Sequence, residues 1–187
     1  GYYMDDDEKS KNIREEYLMH IGKMFQLFGI KNSKNLAKTV MNIETRLAKF
    51  HWKKEKNRDP VATYNLSSIS ELNSMIPGFD WSRWVGATGI QEIDKIIIRQ
   101  SDYLQNINDI IMETSISDWK TYYKWALINR FASLISSDFD KQNFYFYRTV
   151  LSGVKKMEPR WKRGVGVVSG AMGEIIGKVY VDKHFDQ

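Results

Sequence analysis

Three histidines are the side chains of this sequence best suited to acid–base or metal chemistry, and their spacing favours neither. His20, His51 and His184 lie far apart, and none is followed by a glutamate. A helical zinc site of the H-E-x-x-H type needs two histidines four residues apart, so that both imidazoles project from one face of the helix. The sequence therefore predicts a structural or solvent-facing role for each histidine.

Other motifs for nucleophilic or cofactor chemistry are missing as well. The chain has no cysteine, which excludes a thiol nucleophile, a cysteine zinc site and a disulfide framework. It has no G-x-S-x-G motif, and the G-x-G within residues 164–170 lacks both the correct third glycine and a preceding strand. The acidic residues 5–8 lack the spacing of a calcium loop. We predict no catalytic, metal-binding or cofactor-binding residue in this chain, and hence no cofactor.

Four glycines near the carboxyl end form a helical pattern of their own. Gly166, Gly170, Gly173 and Gly177 are spaced by four, three and four residues, which places them along one face of a helix. Each glycine inside a helix costs roughly 0.5–1 kcal/mol relative to alanine. We therefore expect another helix or backbone to approach this face closely, and we prefer this packing role to a ligand site.

The charge of the chain is mildly basic, with 28 Lys and Arg against 23 Asp and Glu. Residues 49–58 and 160–163 combine basic and aromatic side chains, as nucleic-acid surfaces do, but neighbouring acidic residues dilute both segments. We therefore expect no nucleic-acid partner. The sequence has no run of 18 apolar residues, so no membrane span is predicted in this segment. The first residues show no export signal, and the absence of an initial Met indicates a piece of something longer. The compartment stays open, between cell envelope or periplasm and cytoplasm.

Apolar residues recur with a helical period along nearly the whole sequence. Acidic residues 5–8 favour the start of a first helix and Gly29 its end. The predicted apolar stripe of this helix is Ile13, Tyr17, Ile21, Met24 and Phe28, and residues 53–60 are predicted to form a loop. Predicted caps of later helices are Ser33, the Ser68-x-x-Glu71 capping box, Asp80, Ser101 and Ser117, with Gly153 as a stop. Pro159 is expected to open a last helix of about 26 residues.

One β-branched run, residues 95–99, is the exception to the helical period. It is too short and isolated for a sheet, and forms at best a two-stranded ribbon with a partner that the sequence does not identify. The prediction is an all-α protein, a single multi-helix domain of seven or eight helices with at most this short ribbon.

Six collinear segments resemble the neprilysin and endothelin-converting-enzyme family of zinc metallopeptidases. The most specific, residues 57–65, reads N-R-D-P-V-A-T-Y-N where the family has N-R-D-P-x-x-T-Y-N. The others are residues 1–3 (G-Y-Y, for D-Y-Y), 99–104 (R-Q-S-D-Y-L, for R-Q-P-D-Y-L), 151–153 (L-S-G, for L-x-G), 159–163 (P-R-W-K-R, for x-x-W-[KR]-R) and 170–181, similar to N-G-x-x-x-x-x-x-G-x-L-Y-V. The resemblance covers essentially the whole chain.

The resemblance implies that residues 1–187 are part of the N-terminal, mostly helical region that forms a cap over the catalytic zinc domain of such an endopeptidase. In the family, cap and catalytic domain enclose a cavity that admits peptides and excludes folded proteins. The zinc ligands and the catalytic glutamate lie downstream, and the cap residues that hold a substrate's C-terminus lie upstream of Tyr2. The implied zinc and the hydrolytic activity thus belong to the parent enzyme, and the chain alone is expected to be inactive.

Gly164 departs from the pattern of animal members, which usually have a cysteine there that forms a disulfide to the catalytic half. This departure is typical of a bacterial member, in which packing alone joins the two halves. An alternative remains, in which the chain is a stand-alone helical module that binds a protein or nucleic acid.

Overall fold

Helices account for most of the residues that the computed structural model describes, which are 1–90 and 93–185. The α-helices are α1 (Glu8–Leu27), α2 (Ser33–Phe50), α3 (Lys54–Asn57), α4 (Ile69–Met75), α5 (Trp81–Ala87), α6 (Ser101–Glu113), α7 (Ile116–Ile135), α8 (Ser137–Phe144), α9 (Arg160–Ala171) and α10 (Gly173–His184). A π-helix, Tyr145–Val150, continues α8 directly. The strands are β1 (Asn65–Ser68) and β2 (Lys95–Ile98).

The predicted class, all-α with one short ribbon, is confirmed. The described ranges hold ten α-helices, two more than the upper prediction, because α3 forms in a predicted loop and the predicted last helix is divided into α9 and α10.

Local capping chemistry sets several helix ends as predicted. The Asp7 carboxylate accepts a hydrogen bond from the Ser10 amide at 3.0 Å and begins α1. Ser68 and Glu71 form both hydrogen bonds of a capping box at α4, and Asp80 caps α5. Gly29 and Gly153 have φ of +83° and +70°, the left-handed conformation that suits glycine at a helix end.

Three predicted caps are displaced by one or two residues. The N-caps of α2, α6 and α7 are Asn32, Gln100 and Ser115, instead of Ser33, Ser101 and Ser117. Each predicted serine falls inside the first turn of its helix. Ser115 accepts a hydrogen bond from the Asp118 amide, so a serine does cap α7, two residues earlier than expected.

The core lies where α1, α2, α7 and α8 pack together. Its buried members are Ile21, Met24, Phe25, Ala37, Val40, Trp125, Ile128, Ala132 and Phe139. Ile13 is also buried, whereas Phe28, at the end of the predicted apolar stripe of α1, is more than half exposed. Trp125 of α7 is buried and contacts the rings of Tyr17, His20 and Phe25, all on α1.

The β-branched run pairs with a segment that the sequence did not identify. Strand β2 is antiparallel to β1, with Asn65 opposite Ile98 and Ser68 opposite Lys95. The Asn65 side-chain amide donates to the backbone oxygens of Ala62 and Ile98, both at 2.9 Å. Pairing between segments thirty residues apart depends on tertiary contacts, which explains why local sequence did not reveal it.

The predicted single helix after Pro159 is wrong, since α9 and α10 meet at a bend of 99° at Met172. Gly166 and Gly170 lie on α9 and Gly173 and Gly177 on α10, so the four do not share one face. A Cβ atom at any of them would meet no described atom within 4 Å beyond its chain neighbours and the backbone of its own helix. The expected close approach of another helix is therefore not made by the described part of this chain.

No single helix in the described ranges is long and apolar enough to cross a membrane, although α9 and α10 meet that composition test as a bent pair.

Candidate functional site

The three histidines lie in separate places, and only His20 is buried. His51 stacks on Tyr103 with ring centroids 4.2 Å apart, and the His184 ring lies 4.6 Å from that of Tyr180. Among residues 1–90 and 93–185, no group of three or more His, Asp or Glu side chains is arranged to hold a metal ion. The described residues therefore do not fit a zinc centre.

A half-buried polar network joins the N-terminal segment to α1, α2 and α7. The Glu44 carboxylate accepts a hydrogen bond from the Tyr3 hydroxyl at 2.9 Å and, on its other oxygen, from the Tyr17 hydroxyl at 3.1 Å. The Trp125 indole N–H donates to the Tyr17 hydroxyl oxygen at 3.3 Å. Burial raises the pKa of Glu44, and burial together with the neighbouring Glu44 charge raises the pKa of both tyrosines.

His20 lies against this network in an aromatic cage. Its ring stacks on Phe146 at 4.9 Å and meets Trp125 and Tyr147 edge to face, while Nδ1 is 3.2 Å from the Gln142 amide nitrogen. Burial lowers the pKa of His20 to about 4, and Asn129 opposes the shift only partly. Within the described residues Nε2 has no hydrogen-bond partner. His20 is thus a neutral core residue at neutral pH.

A cavity of about 150 Å³ lies beside the network, between the N-terminal segment, α1 and the π-helix. It is lined by Tyr2, Tyr3, Ile13, Arg14, Tyr17, Phe146, Tyr147 and Leu151. Its one cation, Arg14, already donates to the backbone oxygens of Tyr2 and Asp5 at 2.6 and 2.7 Å. The arrangement fixes the N-terminal segment on the helical body, and it presents no nucleophile or free base for a reaction.

The roles of Glu44 in the polar network and of His20 beside it were not predicted. A signal was available for Glu44, because it follows Val40 by four residues on the apolar face of α2, where a charged residue is unusual. Tyr17 did appear in the predicted apolar stripe. His20 carried the same signal, because it lies three residues after Tyr17 and four before Met24 on the apolar face of α1. The rings that surround it come from α7 and the π-helix, which lie far along the chain.

The segment N-R-D-P-V-A-T-Y-N builds a turn ahead of β1. The Asp59 carboxylate accepts from the amides of Val61 and Ala62 at 2.8 and 3.1 Å, and the Thr63 hydroxyl donates to the Asp59 backbone oxygen. Arg99, directly after β2, donates to the Asn57 backbone oxygen at 3.3 Å. Asn57, Asp59 and Thr63 of this motif therefore have structural roles in the turn.

Basic side chains of both segments considered for nucleic acid have acidic partners. Lys56 lies 3.1 Å from Asp102 and 3.5 Å from the centre of the Trp52 ring. Arg163 is paired with Asp140. The absence of a nucleic-acid partner stays a prediction, and these contacts are consistent with it.

A candidate interaction surface is the pair α9 and α10 with Met172 between them, which we call the arm. None of its described residues is buried, and its Trp161 side chain is 67% exposed. The exposed large apolar residues of the arm are Trp161, Val165, Val167, Val168, Met172, Ile175, Ile176, Val179, Tyr180 and Val181. Many exposed large apolar side chains on one pair of helices are typical of an interaction surface.

Comparison with known proteins agrees with the resemblance seen in the motifs. The endothelin-converting enzyme 1 of Rattus norvegicus is 23% identical over 190 residues, and the membrane metallo-endopeptidase-like 1 of Homo sapiens is 27% identical over 203 residues. Each alignment covers 98% of this chain and 25% of the relative, so the chain spans about a quarter of the length of these proteins.

A solved structure shows the same fold. The Mycobacterium tuberculosis zinc metalloprotease Zmp1, in complex with an inhibitor, superposes with a TM-score of 0.91 at 34% identity over 98% of this chain and 28% of that one. Its open state superposes with a TM-score of 0.88. The N-terminal profile of peptidase family M13 matches residues 1–187. The resemblance to the neprilysin and endothelin-converting-enzyme group is therefore confirmed, and the chain belongs to the N-terminal region of peptidase family M13.

Proposed function

We propose that this chain is part of the cap of a zinc metalloendopeptidase, and that it encloses the cavity in which oligopeptides are cleaved. In this proposal the cap limits the size of the substrate, and the zinc ligands and catalytic residues lie on a catalytic domain of the same polypeptide. The described residues do not fit a metal centre. We therefore assign no step of the hydrolysis to them.

The observation that carries the proposal is the match of the N-terminal profile of peptidase family M13 to the whole of residues 1–187. The fold supports it, because the chain superposes on about a quarter of a zinc metalloprotease. The bare apolar arm also supports it, since an arm without buried residues needs a partner to cover it. The catalytic domain is the partner that the family membership favours.

The reading frame beyond Gln187 gives the first test. A downstream H-E-x-x-H segment is expected. A stop codon directly after Gln187, with no such segment, would instead favour a stand-alone helical module.

The second test uses the full-length polypeptide and a version from which residues 1–187 are deleted. We expect the full-length protein to cleave a short unstructured peptide, to lose this activity with a chelator, and to leave a folded protein intact. The deleted version should lose the size limit or the activity. If it cleaves the same peptides with the same size limit, the cap role is wrong.

A further inference from the structure

Among the described residues, one ion pair joins the arm to the helical body. Arg163 of α9 donates two hydrogen bonds to Asp140 of α8, from Nη1 to Oδ1 at 2.9 Å and from Nη2 to Oδ2 at 2.8 Å. This is the bidentate geometry in which a planar guanidinium fixes both the distance and the direction of a carboxylate. The side chains of Asp140 and Arg163 are 15% and 31% exposed, so water screens the pair less than it does a surface pair.

Apolar packing contributes little to the position of the arm. Of its described residues only Arg163, Ser169 and Gly177 are even half-buried. Between α7 and α9 a crevice of about 130 Å³ remains, lined by residues that include Leu134 and Val167. In the described ranges no other ion pair or side-chain hydrogen bond joins α9 or α10 to α1–α8.

A third hydrogen bond of the same guanidinium holds the segment that leads into the arm. Arg163 Nε donates to the Glu158 backbone oxygen at 3.2 Å, just before α9 begins. One side chain thus connects α8, the segment that leads from the π-helix to α9, and α9 itself. Its five donors in a rigid plane allow these contacts to be made together, which a lysine could not reproduce.

We propose that the Arg163–Asp140 pair is the pivot that fixes the direction in which the arm leaves the helical body. Arg163 is therefore a positioning residue, and this role stands on the geometry of the chain alone. If the proposed function also holds, the pivot sets the orientation of the cap relative to the domain that covers the arm. Loss of the pair would release the arm while leaving the body folded.

The chain contains no cysteine, which allows two spin labels to be placed without removing native residues. We suggest cysteines at Lys34 on α2 and Lys178 on α10, both exposed, and a distance measurement by double electron–electron resonance in dilute solution. The doubly labelled chain with Arg163 and Asp140 intact should give one narrow distance distribution. Asp140→Asn removes the charge from the body side and R163Q removes the guanidinium from the arm side, and each should broaden the distribution.

The matched control is Asp138→Asn, the same substitution two residues away on α8. Asp138 is exposed and lies 3.8 Å from Lys141, so this variant should keep the narrow distribution. Because Arg163 lies on the arm, R163Q tests the pivot even if Asp140→Asn destabilises the body. Unchanged distributions in both pivot variants, or equal broadening in the control, would overturn the proposal. Circular dichroism should show the same melting midpoint for R163Q as for the parent.

Discussion

The hydroxyl groups of Tyr3 and Tyr17 both donate to Glu44, one to each carboxylate oxygen, at 2.9 and 3.1 Å. This shared acceptor joins the segment before α1 to α1 and α2 inside the helical body. A carboxylate that is largely removed from water depends on such donors, because an unsatisfied buried charge is costly. The network is therefore a stability element and the main polar link of the N-terminal segment.

Tyr17→Phe tests this network. The substitution removes a donor to Glu44 and the acceptor of the Trp125 indole, so we expect the free energy of unfolding to fall by about 1–3 kcal/mol. Urea unfolding followed by fluorescence measures the change. Tyr123→Phe is the control, because Tyr123 is exposed on α7 and should lose almost nothing. Equal losses in the two variants would show that the network contributes no stability.

His20 makes the stability of the fold depend on pH. Its pKa in the folded chain is about 4 against an ordinary 6.5, so the folded state disfavours the protonated ring. This contribution to stability is complete above pH 6.5 and is lost as the pH falls toward 4, by about 3 kcal/mol. Glu44 has the opposite effect. Its pKa is raised in the folded chain, so its contribution lowers stability as the pH rises through that pKa.

We expect His20→Gln to remove this acid-dependent loss, because glutamine does not titrate. The measurement is the difference in unfolding free energy between pH 6.5 and pH 4 for the parent and the variant. His184→Gln, at an exposed position, should keep the loss seen in the parent. The assignment to His20 would be wrong if His20→Gln loses as much stability at acid pH as the parent does.

Sequence alone predicted the features that depend on neighbouring residues. Asp80 and the Ser68–Glu71 box cap helices through hydrogen bonds that span three residues, and both were predicted. For α1 the acidic start was predicted, and Asp7 is the residue of that run that forms the cap. The family and the all-α class followed from motifs and periodicity that extend along the whole chain. Such features can be predicted from the sequence because they form between residues close together in the chain and need no distant contact.

Distant contacts explain what the sequence did not reveal. The partner of strand β2, the burial of His20 and the two donors to Glu44 each depend on segments brought together only by folding. The break at Met172 was missed for a related reason. Four glycines near it weaken the helix, and packing that would hold a straight helix together is not made in the described residues.

The capping box of α4 offers a local test. Ser68→Ala removes the oxygen that accepts from the Glu71 amide at 3.1 Å, and should lower the unfolding free energy by about 1 kcal/mol. Ser70→Ala, inside the same helix, should be neutral or slightly stabilising since alanine is the better helix former. Thermal melts of both variants provide the comparison, and a Ser68→Ala melt equal to that of the parent would contradict the prediction.

The arm should make the isolated chain self-associate at high concentration. Its apolar side chains have no cover in the described structure, and burying them between two copies removes them from water. The double variant Ile175→Lys, Val179→Lys should shift the molar mass toward the monomer in light scattering. Val61→Lys, at an exposed loop position, should leave it unchanged. A parent chain that is strictly monomeric at high concentration would count against this prediction.

The isolated chain should neither bind zinc stoichiometrically nor cleave peptides. Its described residues offer no cluster of ligands, and it carries no H-E-x-x-H sequence. Equilibrium dialysis with zinc and a fluorogenic peptide assay are the measurements. Hydrolysis that a chelator abolishes, in a preparation free of other proteases, would reveal a site in this chain.

Gly153 affects the molecule well beyond its own turn. Its positive φ reverses the chain after the π-helix, and the turn is closed by hydrogen bonds from the amides of Gly153 and Val154 to the oxygens of Thr149 and Arg148. The reversal sends residues 154–159 back beside α8, which is how Arg163 reaches Asp140, 23 positions earlier. Gly153 thus sets the direction in which the backbone returns toward the arm. Any residue with a Cβ atom would be strained at this positive φ.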